Sequence, residues 1–199
     1  MRYPQSIQEL IDFLSELPSV GQKTAERYVF YFLKQSPERL KEIGQIIIKL
    51  KKGIKICERC GVISETTFCP ICQDANRKKD LLCIVANTRD LISLENTKQY
   101  QGLYFVLGGV INTIEGLGPE KLNITKLMDR IKEKEIKEVI LAFSPNLEGE
   151  TTVLYLSNLL KAYPIKISKL ARGLSAGSSL EYADDNTLSQ ALKYRNEVK

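Results

Sequence analysis

The residues whose type and spacing most directly imply chemistry are four cysteines in the stretch CERCGVISETTFCPIC. Cys57 and Cys60 form one C-x2-C knuckle, and Cys69 and Cys72 form a second after a short loop. Each knuckle bends the backbone so that two thiolates point the same way. Two knuckles at this separation close a four-thiolate tetrahedral cage of the kind that holds a structural zinc ion. Gly61 after the first pair and Pro70 inside the second suit the tight turns around such an ion. Two disulfides would need an oxidising compartment, and the N-terminal MRYPQSIQEL lacks the apolar run of a secretory signal. A redox motif would be a single C-x-x-C, whereas here there are two. With all four positions filled by protein, the cage leaves none open for a substrate, so its expected role is to staple the fold.

Composition narrows the remaining chemistry. The 199 residues include no His, which removes Ser-His-Asp and Cys-His catalysis and every His-ligated metal site. Apolar residues make up 43% and charged residues 27%, enough for globular cores in one large domain or several small ones. No apolar stretch is long enough to span a bilayer, and a cytoplasmic location is expected. The formal net charge is +5. Residues 1–80 hold 14 Lys and Arg against 10 Asp and Glu, while residues 81–199 hold 15 against 14, so the positive excess lies before and around the cysteines. That distribution is compatible with a polyanion partner and equally with solvated surface.

Upstream of the cage, IQELIDFLSEL places Ile7, Leu10, Ile11, Leu14 and Leu17 on one helical face, and Ser6 with Glu9 reads as an N-terminal capping box. LPSVGQKTAERYVFYFL follows. Pro18 ends the first helix, Val20-Gly21 makes a short hairpin, and a second helix starts near Gln22 or Lys23. Gly21 would let the hairpin backbone approach a phosphate, with the N–H groups of the new helix facing it. Lys23 and Arg27, four residues apart, share one face and could follow a nucleic-acid backbone. The bland alternative is a plain helical hairpin with both cations solvated. RLKEIGQIIIKLKKGIKIC then reads as a basic amphipathic helix, with Lys49, Lys51, Lys52 and Lys55 leading into the first ligand.

Downstream, Lys78-Lys79-Asp80 reads as a linker. Apolar runs LLCIVA, LYFVLG, KEVILAF and PIKISKLA read as strands, alternating with helices in TRDLISLENTKQY, ITKLMDRIKEKEI and EGETTVLYLSNLLKAY. This order predicts a mostly parallel sheet with helices on both faces. Cys83, inside the first run, reads as a small core residue. Two loops at strand ends hold candidate chemistry. INTIEGLGPEKL carries Gly116 and Gly118 but lacks the G-K-[ST] ending of a phosphate loop. SPNLEGE carries Glu148 and Glu150, which could hold magnesium or simply favour a helix N-terminus. The tail has a Gly/Ser-rich loop from Leu174 to Ser179 and a short helix from about Asp185; Arg172 reads as surface.

LPSVGQKTAER, CERC with CPIC, GLYFVLGG, GLGPEKL, LEGETT and ARGLSAGSSLEYADDNTL occur in an order that resembles the bacterial RecR family of recombination mediators nearly end to end. The resemblance implies a multi-domain α plus α/β chain. Its parts would be a helix-hairpin-helix over 1–53, a four-cysteine zinc finger over 54–76, a Toprim domain over 80–172 and an oligomerisation tail over 173–199. It implies one zinc ion per chain, a homodimer or a homotetramer built as a ring-like dimer of dimers that clamps DNA, and no membrane. It further implies work with RecO, and with RecF where present, to load RecA on gapped strands coated by SSB. Lys23 and Arg27 match the family's DNA-binding positions, and Glu148 and Glu150 its E-G-E motif, near which RecO is expected to dock. Three departures stand out. Ser19 replaces the usual hairpin Gly, Ala86 stands where the first Toprim strand commonly ends in Glu, and Ala142-Phe143-Ser144 lacks an Asp-x-Asp pair. Without those carboxylates a Toprim cannot hold magnesium for phosphoryl transfer. The expectation is therefore a non-enzymatic mediator, with a magnesium-dependent nuclease or primase-like enzyme as the alternative.

Overall fold

A computed structural model of the protein describes residues 3–133 and 135–197. The chain divides into two compact units, Met1–Ile54 and Lys55–Lys199.

The first unit is helical, with α1 (Gln5–Ser15), α2 (Gln22–Phe32) and α3 (Pro37–Leu50). Helices α1 and α2 pack through buried Ile11, Ala25 and Val29, ringed by Ile7, Leu10, Leu14 and Val20. The 3.6-residue spacing of these apolar positions is what forms the pair. Leu17, expected on the same face, is 44% exposed, because α1 stops at Ser15 and the chain leaves the helical path before reaching it. The capping box does not form. Pro4 occupies the N-cap, Ser6 lies inside the first turn, and the Gln5 side-chain amide donates to Glu9 at 2.8 Å. A proline just ahead of the first turn sets the entry angle without a side-chain cap. Helix α3 is capped by Ser36, whose hydroxyl accepts from the Arg39 N–H at 3.2 Å, with Pro37 as its first residue. It buries no residue, and Ile47 is 67% exposed. The amphipathic pattern therefore makes a helix here without finding a partner within this unit.

The second unit opens with β1 (Lys55–Ile56) and β2 (Ile63–Ser64), an antiparallel hairpin holding the first cysteine knuckle, and α4 (Pro70–Gln73), which carries the end of the second. Then come β3 (Lys78–Val85), α5 (Thr88–Asn96), β4 (Gly102–Val106), α6 (Ile124–Lys132), β5 (Glu138–Ala142), α7 (Leu147–Leu160), β6 (Lys166–Lys169) and α8 (Asp185–Lys193). The four strands β3 to β6 form a parallel sheet in the order β4-β3-β5-β6. Lys78-Lys79-Asp80 is not a linker but the opening stretch of β3. Lys78 already donates its N–H to the Gln101 carbonyl at 2.9 Å.

Strand alternation sorts side chains onto two faces. Leu82, Ile84, Leu103, Phe105, Val139 and Leu141 point to one, covered by Leu127 and Ile131 of α6 and Leu156 and Leu160 of α7. Cys83, Val85, Tyr104, Val106 and Ala142 point to the other. That second face is covered by Leu91 of α5 and, in place of a further helix, by the cysteine module itself. Burial pushes the Cys83 thiol up to about 12, which suits an inert core residue.

Candidate functional site

The two knuckles bring the sulfurs of Cys57, Cys60, Cys69 and Cys72 within 4.8 Å of one another. Cys57, Cys60 and Cys69 are buried and Cys72 is half-buried. The first knuckle is closed by backbone bonds from Cys57 to the Val62 carbonyl at 2.8 Å and from Gly61 to the Cys57 carbonyl at 2.9 Å. Gly61 adopts φ +75°, a left-handed turn, and a side chain there would press on the Val106 carbonyl of β4. The Cys69 N–H points at the Cys57 sulfur, 3.3 Å away.

Such crowding is unfavourable for four free thiolates. The Cys60 thiol is pushed far up, chiefly by its hydrogen bond to Cys72 and by burial. Cys72 is drawn down to about 6, first by that same bond from Cys60, with Arg59 adding to it. Cys69 is raised to about 11 by burial. A divalent cation resolves this competition by stabilising all four as thiolates. The Cys60–Cys69 separation of 3.6 Å fits the spacing of about 3.8 Å between sulfurs that each lie about 2.3 Å from one tetrahedral zinc. Among the described residues this is the one group of three or more potential metal ligands close enough to hold an ion.

The module is fastened to the sheet by directed bonds. The Val106 N–H of β4 donates to the Cys60 carbonyl at 2.7 Å, and the Ile63 N–H donates to the Thr88 hydroxyl at 3.2 Å. Arg77, at the exit of the module, pairs with Glu95 of α5 and donates to the Tyr100 and Gly102 carbonyls at 3.3 and 3.4 Å. The Arg77 hydrogen bond holds the Glu95 carboxyl below its usual range. Arg59 lies over the Phe68 ring at 5.3 Å and reaches the Cys72 carbonyl.

In the first unit, Gly21 is the N-cap of α2, and Lys23 and Arg27 are exposed on the helix one turn apart. Gly21 has an ordinary φ of −83°, and a side chain there would meet nothing. Its contribution is open space beside the first N–H groups of α2, which lack intrahelical acceptors. The left-handed residue of the hairpin is Ser19, at φ 64°. This explains why glycine suits that position and why the serine carries strain.

At the strand ends, β3 runs into Ala86 and Asn87, and β5 into Phe143 and Ser144. A crevice of about 130 Å³ beside the ends of β5 and β6 is lined by Phe143, Pro145, Glu150, Lys169 and Arg172 among others. Glu148 and Glu150 belong to no group of three or more potential metal ligands among the described residues. Glu150 is ion-paired with Arg172 and, at 3.5 Å, with Lys169. Arg172 is accordingly a half-buried partner of Glu150 rather than loose surface. Gly116, at φ 67°, turns a tight loop bridged between Asn112 and Leu117 and cradles no helix N-terminus.

Two residues that sequence reasoning passed over fix this region. Asn146 caps α7 by accepting from the Gly149 N–H at 2.9 Å, which presses Gly149 onto the Ser144 carbonyl. Thr152, fully buried, accepts from the Ile111 N–H at 2.8 Å and donates to the Glu148 carbonyl at 2.7 Å. An asparagine directly ahead of a helical run is the available signal for the first; a lone threonine offers none for the second.

Comparison with known proteins agrees with this architecture. The RecR helix-hairpin-helix family matches residues 7–50, the RecR four-cysteine zinc finger domain 54–74, the Toprim domain 80–171 and the RecR C-terminal family 173–196. Recombination protein RecR of Staphylococcus haemolyticus is 43% identical over 198 residues, a coverage of 100% of each chain. Recombination protein RecR of Amoebophilus asiaticus is 44% identical over 189 residues, 95% of this chain and 94% of its own. The chain belongs to the RecR family of recombination proteins, which fits a role in recombination repair. Its cofactor is zinc, in a four-cysteine finger.

Gly149→Ala places a methyl group against the Ser144 carbonyl and is expected to lower stability by about 1–3 kcal/mol. Thermal denaturation followed by circular dichroism checks this; an unchanged midpoint would mean that the α7 turn has room to spare.

Proposed function

We propose that this chain is a non-enzymatic recombination mediator. In this reading it grips DNA without sequence preference through Gly21, Lys23 and Arg27 and recruits partners through its α/β domain. The observation that carries it is the placing of two exposed cations one turn apart on α2, beside the open space at its Gly21 N-cap. Guanidinium and ammonium groups at this spacing suit successive backbone phosphates, and phosphate contacts carry no base information. Zinc would be held by Cys57, Cys60, Cys69 and Cys72 and would act as a staple. The working parts would be residues 1–53, 54–76, 80–172 and 173–199, the last aiding assembly into a homodimer or a homotetrameric ring around DNA. By likeness to its family, the chain would act in the cytoplasm with RecO, and with RecF where present, to help load RecA on SSB-coated gaps.

The strand ends support an inert Toprim. Phosphoryl transfer through magnesium needs clustered carboxylates, whereas Ala86 and Ser144 stand at the ends of β3 and β5 and Glu150 is held by two cations. RecO would dock at the start of α7, around Glu148 and Glu150. Because Glu150 is tied to Lys169 and Arg172, Glu148, which makes no ion pair among the described residues, is the better probe of that contact.

Lys23→Glu with Arg27→Glu should reduce DNA affinity at least about a hundredfold and flatten its salt dependence while leaving zinc content and helicity intact. Fluorescence anisotropy across a salt series reads both quantities, and wild-type binding by the double variant would refute the hairpin contact. Glu148→Lys should weaken capture of RecO in a pull-down without loss of zinc; undiminished capture would place RecO elsewhere.

A further inference from the structure

Helix α2 shows solvent more aromatic surface than its packing needs. Its contact with α1 uses only Ala25 and Val29, yet Tyr28, Phe30 and Tyr31 are all exposed, Tyr31 most of all at 57%. At 100° per residue, the direction opposite Ala25 and Val29 is centred on Arg27. Lys23, Phe30, Tyr31 and, just past the helix end, Lys34 fall close to it. The tyrosine ring thus sits one turn beyond Arg27, which is itself one turn beyond Lys23. Phe30 and Tyr31 are each set edge-on to a neighbouring ring, Tyr3 at 5.7 Å and Phe32 at 5.9 Å. The only acidic residue of α2, Glu26, lies on the flank of this stripe, one turn from both Lys23 and Phe30, and is half-buried.

We infer that the stripe binds single-stranded DNA, with Lys23 and Arg27 on phosphates and the Tyr31 ring stacked on an unpaired base, Phe30 and Lys34 flanking it. This rests on the phosphate-contact reading given above and adds to it a preference for unpaired strands. Cations interleaved with exposed rings match a nucleic-acid strand, which offers phosphates and π-faces in alternation. A duplex keeps its bases stacked and gives the ring nothing to stack on. Self-association through the same face would set cations against cations across a two-fold axis, which charge opposes.

Three variants test the inference on the full-length zinc protein, using oligo(dT), an abasic oligomer of equal length and a blunt duplex. Because the chain has no tryptophan, Tyr31→Trp supplies a single reporter. Its fluorescence should be quenched by oligo(dT) and not by the abasic strand or the duplex. Tyr31→Ala should weaken oligo(dT) binding about tenfold or more, with the salt slope and duplex affinity unchanged, and Tyr31→Phe should restore it. Equal loss on single strand and duplex, no loss on either, or a changed sedimentation coefficient for Tyr31→Ala would overturn the inference while leaving the phosphate contacts standing. If Lys23→Glu with Arg27→Glu left oligo(dT) binding intact, the underlying reading would fail as well.

Discussion

The second unit depends on one packing constraint: a parallel sheet must be covered on both faces, and here a metal module covers part of one. Strands β3, β4 and β5 send alternate side chains to opposite sides, and two helices suffice for the face built on Leu82, Phe105 and Leu141. The other face, built on Cys83, Val85, Tyr104 and Val106, has only α5 above it. The knuckles of Cys57, Cys60 and Cys69 complete that layer. Residues that look like a separate finger in the sequence are therefore part of the core of the α/β domain. The bond from Val106 to the Cys60 carbonyl also engages β4, an edge strand whose free backbone groups would otherwise invite pairing.

From this scaffold follows what the strand ends can do. In open parallel sheets, ligands bind beyond the carboxyl ends of the strands. Here that region is devoted to holding chain segments in place. Asn146 caps α7, Gly149 seats its first turn on Ser144, Thr152 ties it to the loop after β4, and Glu150 anchors the segment after β6 through Lys169 and Arg172. A carboxylate surrounded by two cations is poorly disposed to bind a third, and this underlies the proposal of a recruiting rather than a catalytic Toprim domain.

Much of this was legible in the sequence because burial leaves a periodic trace. The apolar runs at β3, β4, β5 and β6 and the four-cysteine spacing all correspond to real elements within a few residues. What escaped were features set by tertiary contact. Lys78-Lys79-Asp80 looks like a polar linker, yet it extends β3 because pairing with the start of β4 outweighs side-chain polarity. Ser6 and Glu9 have capping-box spacing, but the helix begins two residues earlier than that box requires, behind Pro4. The E-G-E motif drew attention to its carboxylates, whereas the glycine is the residue with no steric alternative. At the hairpin the conformational demand falls on Ser19 and not on Gly21, a distinction that only backbone angles reveal.

Hydrogen exchange with and without zinc tests most directly whether the finger is part of the sheet's core. If the cage completes the second face, removing the ion with a chelator should raise exchange at Val106 and along Cys83, Ile84 and Val85, as well as within residues 57–72. Adding zinc back should restore protection. Loss of protection confined to residues 57–72, with β3 and β4 unchanged, would mean that the finger rests on a sheet that stands without it.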